Sequence, residues 1–168
     1  EAQKQKLETQ LWNIANELRG KMSADEFRDY ILGFIFFKYL SEKQHLFANR
    51  LLETETIKDY ALLKDEADIA AIKEESLEKL GYFLRPNELF KTVTAKGNAD
   101  KKGENNFILE DLQGILTSIE QSTMGTESEE EFNKLFEDLD LGNTKLGRSV
   151  EARNTLISKV LSHLDKID

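Results

Sequence analysis

Residues 11–40, LWNIANELRGKMSADEFRDYILGFIFFKYL, constrain this chain more than any other stretch, because they join two helical patterns through a short charged turn. In the first pattern Leu7, Leu11, Ile14 and Leu18 recur at steps of three or four residues, the spacing that lines side chains along one helix face. Gly20 offers a stop. Ser23 followed by Glu26 reads as a capping box, in which hydroxyl and carboxylate each satisfy a backbone N–H left over at a helix start. A second helix is therefore expected to begin near Ala24. From residue 30 to residue 37 it is apolar on almost every side, interrupted only by Gly33. Such a helix has to be surrounded by other elements, which makes it the expected centre of the fold.

The rest of the chain supplies those elements. The second helix is expected to continue through Leu46, Phe47 and Leu51 until Thr54 and Thr56 weaken it. Leu62, Leu63, Ile69, Ile72, Leu77 and Leu80 mark one or two helices between about residues 60 and 80, closed by Gly81. Tyr82, Phe83 and Leu84 read as a short extended segment. Pro86 disfavours helix at Arg85 while suiting the first turn of a short helix through Leu89 and Phe90. Residues 96–106, KGNADKKGENN, contain no large apolar side chain and read as a mobile loop. Leu109, Leu112, Ile115, Leu116 and Ile119 then form one helical stripe over residues 107–122. Ser128 with Glu131 repeats the capping-box spacing and opens a short helix showing Phe132, Leu135, Phe136 and Leu139 inward. Gly142 and Gly147 bracket a turn, and Ser149 caps a last helix carrying Leu156, Ile157, Val160, Leu161, Leu164 and Ile167. That helix meets no terminal breaker, as expected of a piece of something longer. The fold class is mainly α: a multi-helix bundle around a buried central helix, with at most a short extended segment near residues 82–84. One domain over residues 1–168 is expected from the length.

Composition removes several kinds of chemistry. The chain has no cysteine, which excludes disulfides, thiolate zinc sites and cysteine nucleophiles and fits a cytoplasmic protein. The apolar run at residues 30–40 contains Lys38 and falls short of the roughly 20 residues a membrane span needs, so no membrane is expected as a partner. His45 and His163 lie on separate helical patterns without metal-binding spacing, and no metal site is expected. There is no G-x-S-x-G elbow, no P-loop and no G-x-G. The net charge of −9 is concentrated in residues 104–142, where Lys134 is the single base, while residues 143–168 are weakly basic. The acidic run reads as a solvated helix face. Phosphate binding needs clustered Lys and Arg, so the chain by itself is expected to bind DNA weakly.

Four separated segments carry a family likeness in order along the chain: LWNIANELRGKM at 11–22, YILGFIFFKYLSE at 30–42, GYFLRPNELF at 81–90 and TMGTESEEEFNKLFEDLDLGNTKLG at 123–147. Together they resemble the N-terminal helical domain of the modification (M) subunit, HsdM, of type I restriction-modification systems, the adenine-specific DNA methyltransferase. The resemblance implies a longer parent that uses S-adenosylmethionine to methylate adenine N6. The two signatures of that chemistry, a glycine-rich loop after a strand and an Asn-Pro-Pro-aromatic motif, are not here, since Pro86 is the only proline. No catalytic, cofactor-binding or metal-binding residue is therefore expected in this chain, and no cofactor. The resemblance further implies assembly with the specificity subunit and a second M subunit, with the restriction subunit in the full complex, and enclosure of double-stranded DNA. Lys145, Arg148 and Arg153, in or just after the LGNTKLG turn, are the first candidates for phosphate contacts, because a helix N-terminus adds backbone donors there. Arg19 and Lys21, in the LRGKM turn, are the second, with helix C-capping as their plainer role. The three lysines of the loop, Lys96, Lys101 and Lys102, can also reach a passing backbone. A helical protein–protein adaptor that never approaches DNA is the alternative function.

Overall fold

The computed structural model describes residues 1–97, 108–127, 129–137 and 139–167, the side chains at 131, 134 and 135 excepted. The first helix, α1 (Ala2–Leu18), ends where Arg19 turns extended and Gly20 adopts φ +81°, a conformation glycine reaches without a Cβ clash. Its burial is uneven. Ile14 and Leu18 are in the core, whereas residues 1–9 are exposed, Leu7 among them. The second helix, α2 (Ala24–Leu51), starts on the Ser23 hydroxyl, which accepts from the Glu26 amide at 3.3 Å.

α2 is the spine of the molecule. It buries Tyr30, Phe34, Phe37, Leu40 and Ala48, together with the polar Lys38, Ser41 and Gln44. Lys38 is neutralised by an ion pair to Glu42 one turn on, and its ammonium lies 5.8 Å from the Phe90 ring centroid. Gly33 has a packing function: a Cβ built there would lie 2.5 Å from Leu139 Cδ1, so the missing side chain is what lets Leu139 close on the helix. The enclosure is not complete on all sides. Leu32, Tyr39 and Leu46, at seven-residue steps, are 54, 55 and 63% exposed, because the described neighbours pack on the other faces of α2.

After α2, a 3₁₀ turn (Tyr60–Leu62) and α3 (Glu66–Lys79) fill the interval expected for one or two helices. His45 Nε2 meets Asp59 at 2.6 Å and ties the first of these to α2. Gly81, at φ +84°, follows α3 as expected. Tyr82, Phe83 and Leu84 are non-helical and buried, and no strand occurs among the described residues. Three of their main-chain groups pair with side chains: Leu84 N–H donates to Gln44 Oε1 at 3.1 Å, Phe83 N–H to Ser122 Oγ at 3.3 Å, and Tyr60 OH donates to the Leu84 carbonyl at 2.6 Å. Pro86 opens a 3₁₀ turn (Pro86–Glu88), where the Glu88 carboxylate reaches back to the Arg85 amide at 2.8 Å. Burial pushes the Glu88 carboxyl above its ordinary pKa.

Two boundaries differ from the sequence reading. Leu89 is extended and separates that turn from α4 (Phe90–Gly97), so the short helix expected through Leu89 and Phe90 is two pieces. α4 also takes in Lys96 and Gly97, the first residues of the expected loop, and Lys96 pairs with Asp111 at 2.5 Å. The rest of that loop, with Lys101 and Lys102, lies outside the described residues, as does the Ser128 cap. α5 (Leu109–Thr123) and α6 (Glu129–Glu137) follow, then a 3₁₀ turn (Thr144–Leu146) and α7 (Val150–Asp165), which packs chiefly on α1 and α4. Ile115, Ile119, Phe132, Phe136, Leu156 and Leu161 join the α2 residues in one hydrophobic cluster. The described elements are all helical, which is the helical bundle expected. Among them no helix is long and apolar enough to cross a membrane.

Candidate nucleic-acid interface

The segment between α6 and α7 is built by local polar contacts around two buried leucines. Leu141 and Leu146 anchor it in the core. Around them Asp140 Oδ1 accepts from the Gly142 amide at 3.0 Å and Asn143 Oδ1 from the Lys145 amide at 2.9 Å, the short-range bonds that favour Asp and Asn in turns. The Tyr30 hydroxyl donates to the Asp140 carbonyl at 2.5 Å and fastens this segment to α2. Ser149 then caps α7, its Oγ accepting from the Ala152 amide at 3.0 Å.

On this frame Lys145 projects to α2. Its Nζ lies 2.9 and 2.8 Å from the two carboxylate oxygens of Glu26, joining residues far apart in sequence. The lysine holds the Glu26 carboxyl below the usual carboxylate range. The contact brings the capped start of α2, close behind Arg19 and Lys21, to the turn that carries Arg148. Lys145 thus sits between the N-termini of α2 and α7, where the helix dipole favours anions.

The candidates differ in their engagement. Arg148 is exposed and has no partner among the described residues. Arg153 is half-buried, donates from Nη1 to the Gly147 carbonyl at 3.0 Å and keeps its Nε away from solvent, so its immediate task is to hold the turn. Arg19 lies with its guanidinium carbon 5.4 Å from the centroid of the Trp12 ring, which is 62% exposed. Lys21 is exposed, and its backbone amide donates to the Leu18 carbonyl at 3.1 Å in the terminating turn of α1. The sequence reading missed Glu26 as the partner of Lys145, because a capping box had already given that carboxylate a use; the Ser23 hydroxyl does donate to it, at 3.2 Å.

Gly147 sets the position of Arg148. A Cβ at Gly147 would lie 2.8 Å from both the Ala152 Cβ and the Arg153 backbone nitrogen, and neither can withdraw without disturbing the capped first turn of α7. Gly147→Ala is expected to cost about 2 kcal/mol by overpacking, read as a lower midpoint in urea denaturation. A loss below about 0.5 kcal/mol would show that the turn yields freely.

His163 Nε2 faces Glu17 at 3.5 Å between α7 and α1, and among the described residues no cluster of three potential ligands can hold a metal. For S-adenosylmethionine the residues do not fit: the described positive-φ glycines, Gly20, Gly81 and Gly125, stand singly after helices, and none of them follows a strand.

The comparisons agree with this architecture. A chain from Mycoplasma pneumoniae, the type I restriction enzyme MpnII methylase subunit, is 29% identical over 171 residues, covering 99% of this chain and 31% of the relative. The crystal structure of a type I restriction-modification system methyltransferase subunit from Streptococcus thermophilus superposes with a TM-score of 0.78 at 31% identity, covering 98% of this chain and 34% of that one. This chain thus spans about a third of the length of both. The family model for the HsdM N-terminal domain matches residues 7–164, and the chain belongs to that family.

Proposed function

We propose that this chain is the helical, non-catalytic part of a type I DNA adenine-N6 methyltransferase subunit, and that it supports assembly with the specificity subunit and a second M subunit while closing around DNA. Binding of S-adenosylmethionine and methyl transfer belong to the remaining two thirds of the parent, and the restriction subunit joins the full complex in the cytoplasm. The observation that supports the DNA contact is the Lys145–Glu26 pair, which joins the turn before Arg148 to the first turn of α2, a few residues after Arg19 and Lys21 in the chain. Arg148, Lys145, Arg19 and Lys21 there face phosphates without reading bases, and Arg153 supports them by fixing the turn.

The pair also sets an exchange: a phosphate that takes Lys145 displaces the Glu26 carboxylate. In the full-length M subunit assembled with its specificity subunit, Lys145→Glu with Arg148→Glu is expected to weaken duplex binding and lower the salt slope by about two. Glu26→Gln is expected to strengthen binding, since no carboxylate then competes for the lysine. Fluorescence anisotropy across a salt titration reads both. An unchanged slope and affinity in the double variant would favour the adaptor that never touches DNA, a reading the net charge of −9 supports.

A further inference from the structure

At the opposite end of α2, Leu51 and Leu52, residues 55–57 and α3 line a groove of two adjoining hollows of about 220 and 200 Å³. Leu52 and Ile72 form a buried floor, and Leu51 and Ile57, 42 and 41% exposed, leave apolar surface open at the mouth. The rim is acidic. Glu55, Asp65, Asp68 and Glu75 line the hollows, and no lysine or arginine does. Lys58 and Lys64 flank the groove in sequence without lining it, and the Lys73 ammonium is placed 5.9 Å from the Phe83 ring centroid. Asp65 is partly occupied in capping α3, since its Oδ1 accepts from the Asp68 amide at 3.0 Å, which leaves Glu55, Asp68 and Glu75 as the free carboxylates of the rim.

This combination selects an occupant. An apolar floor gains from an aliphatic side chain removed from water, while a rim of uncompensated carboxylates repels phosphate and any acidic surface. α2 has 28 residues, which at 1.5 Å each sets the groove about 40 Å from the basic turns. We propose that the groove is a docking surface for a segment of a partner protein that presents an aliphatic side chain flanked by lysine or arginine. The proposal rests on the assembly role above, and assigns that segment to another subunit of the methyltransferase. Protein and DNA then engage opposite ends of one helix, so each can bind without displacing the other.

The test places the photoreactive amino acid benzoylphenylalanine at Ala71, an exposed position of the groove lining, in the full-length M subunit assembled with the specificity subunit on duplex DNA. Irradiation is expected to give a crosslink to protein, mapping to a segment with at least two Lys or Arg within one helical turn. Asp68→Lys with Glu75→Lys is expected to abolish that crosslink and weaken assembly about tenfold or more in sedimentation. Both residues are exposed, and a circular dichroism melt checks that the variant folds. A complex that assembles and binds DNA while position 71 crosslinks to nothing, to DNA or to an acidic segment overturns the groove and leaves the assembly role standing. Failure of the unmodified subunits to associate overturns both.

Discussion

Phe37→Ala is expected to destabilise the protein by about 3–5 kcal/mol, the range for removing a large aromatic side chain from a packed interior. Phe37 is fully buried at the middle of α2 and meets the Phe90 ring edge-on, with centroids 5.7 Å apart. The neighbours cannot easily collapse into the space. Phe90 is pinned by its amide, which donates to Ser41 Oγ at 2.6 Å, and it also lies beside the buried Lys38 ammonium. Alanine there leaves a cavity that Phe90, held by this bond, is not free to fill, so the cost falls within that range. Urea denaturation reads it; a loss under about 1.5 kcal/mol would mean that α4 closes onto α2 without strain.

The second large effect comes from a polar side chain. Gln44 is fully buried, donates from Nε2 to Ser76 Oγ at 2.9 Å and accepts the Leu84 amide on Oε1, connecting α2, α3 and the non-helical segment. Gln44→Leu keeps the approximate volume but strands the Leu84 N–H away from water. Leaving a buried amide unpaired costs about 1–3 kcal/mol, and the broken bond to Ser76 adds to it. Ser76 suffers less, because its hydroxyl also donates to the Ile72 carbonyl at 2.7 Å. We expect a total near 3 kcal/mol, with Leu84 amide exchange accelerated more than that of residues in α5. Equal acceleration throughout would mean that Gln44 holds no local register.

The helices were legible because burial imposes a period, and the period survives in the sequence. Leu112, Ile115, Leu116 and Ile119 recur as helix geometry requires, and all four are buried on α5. Caps were legible where one local bond decides the matter, as at Ser23 and Ser149. Tyr82, Phe83 and Leu84 were recognisable as a break between helices, but the bonds of Phe83 and Leu84 to Gln44, Tyr60 and Ser122 depend on residues 24 to 40 positions away, which no local pattern encodes. The same limit applies to the candidate interface. Lys145 and Arg19 could each be chosen for charge and turn context, yet only the tertiary contact with Glu26 relates their two turns. The open stripe of α2 shows the converse: Leu32 and Tyr39 have the composition of core residues, and hydropathy alone does not tell which apolar side will be covered.

The uneven burial of α1 has a consequence for how that helix holds together. Residues 1–9 are exposed, and Gln3, Lys4, Lys6 and Leu7 share only a shallow hollow with Ile167, so burial supports their helical order far less than it supports Ile14 and Leu18. Short isolated helices are marginal in water because nucleation is costly while extension of an existing turn is cheap. Ile14 and Leu18, locked in the core, therefore act as the nucleus, and the helix grows backwards from them along the chain. Its far end is therefore expected to open at a lower free energy than its root, and to gain order when another surface comes to rest against it.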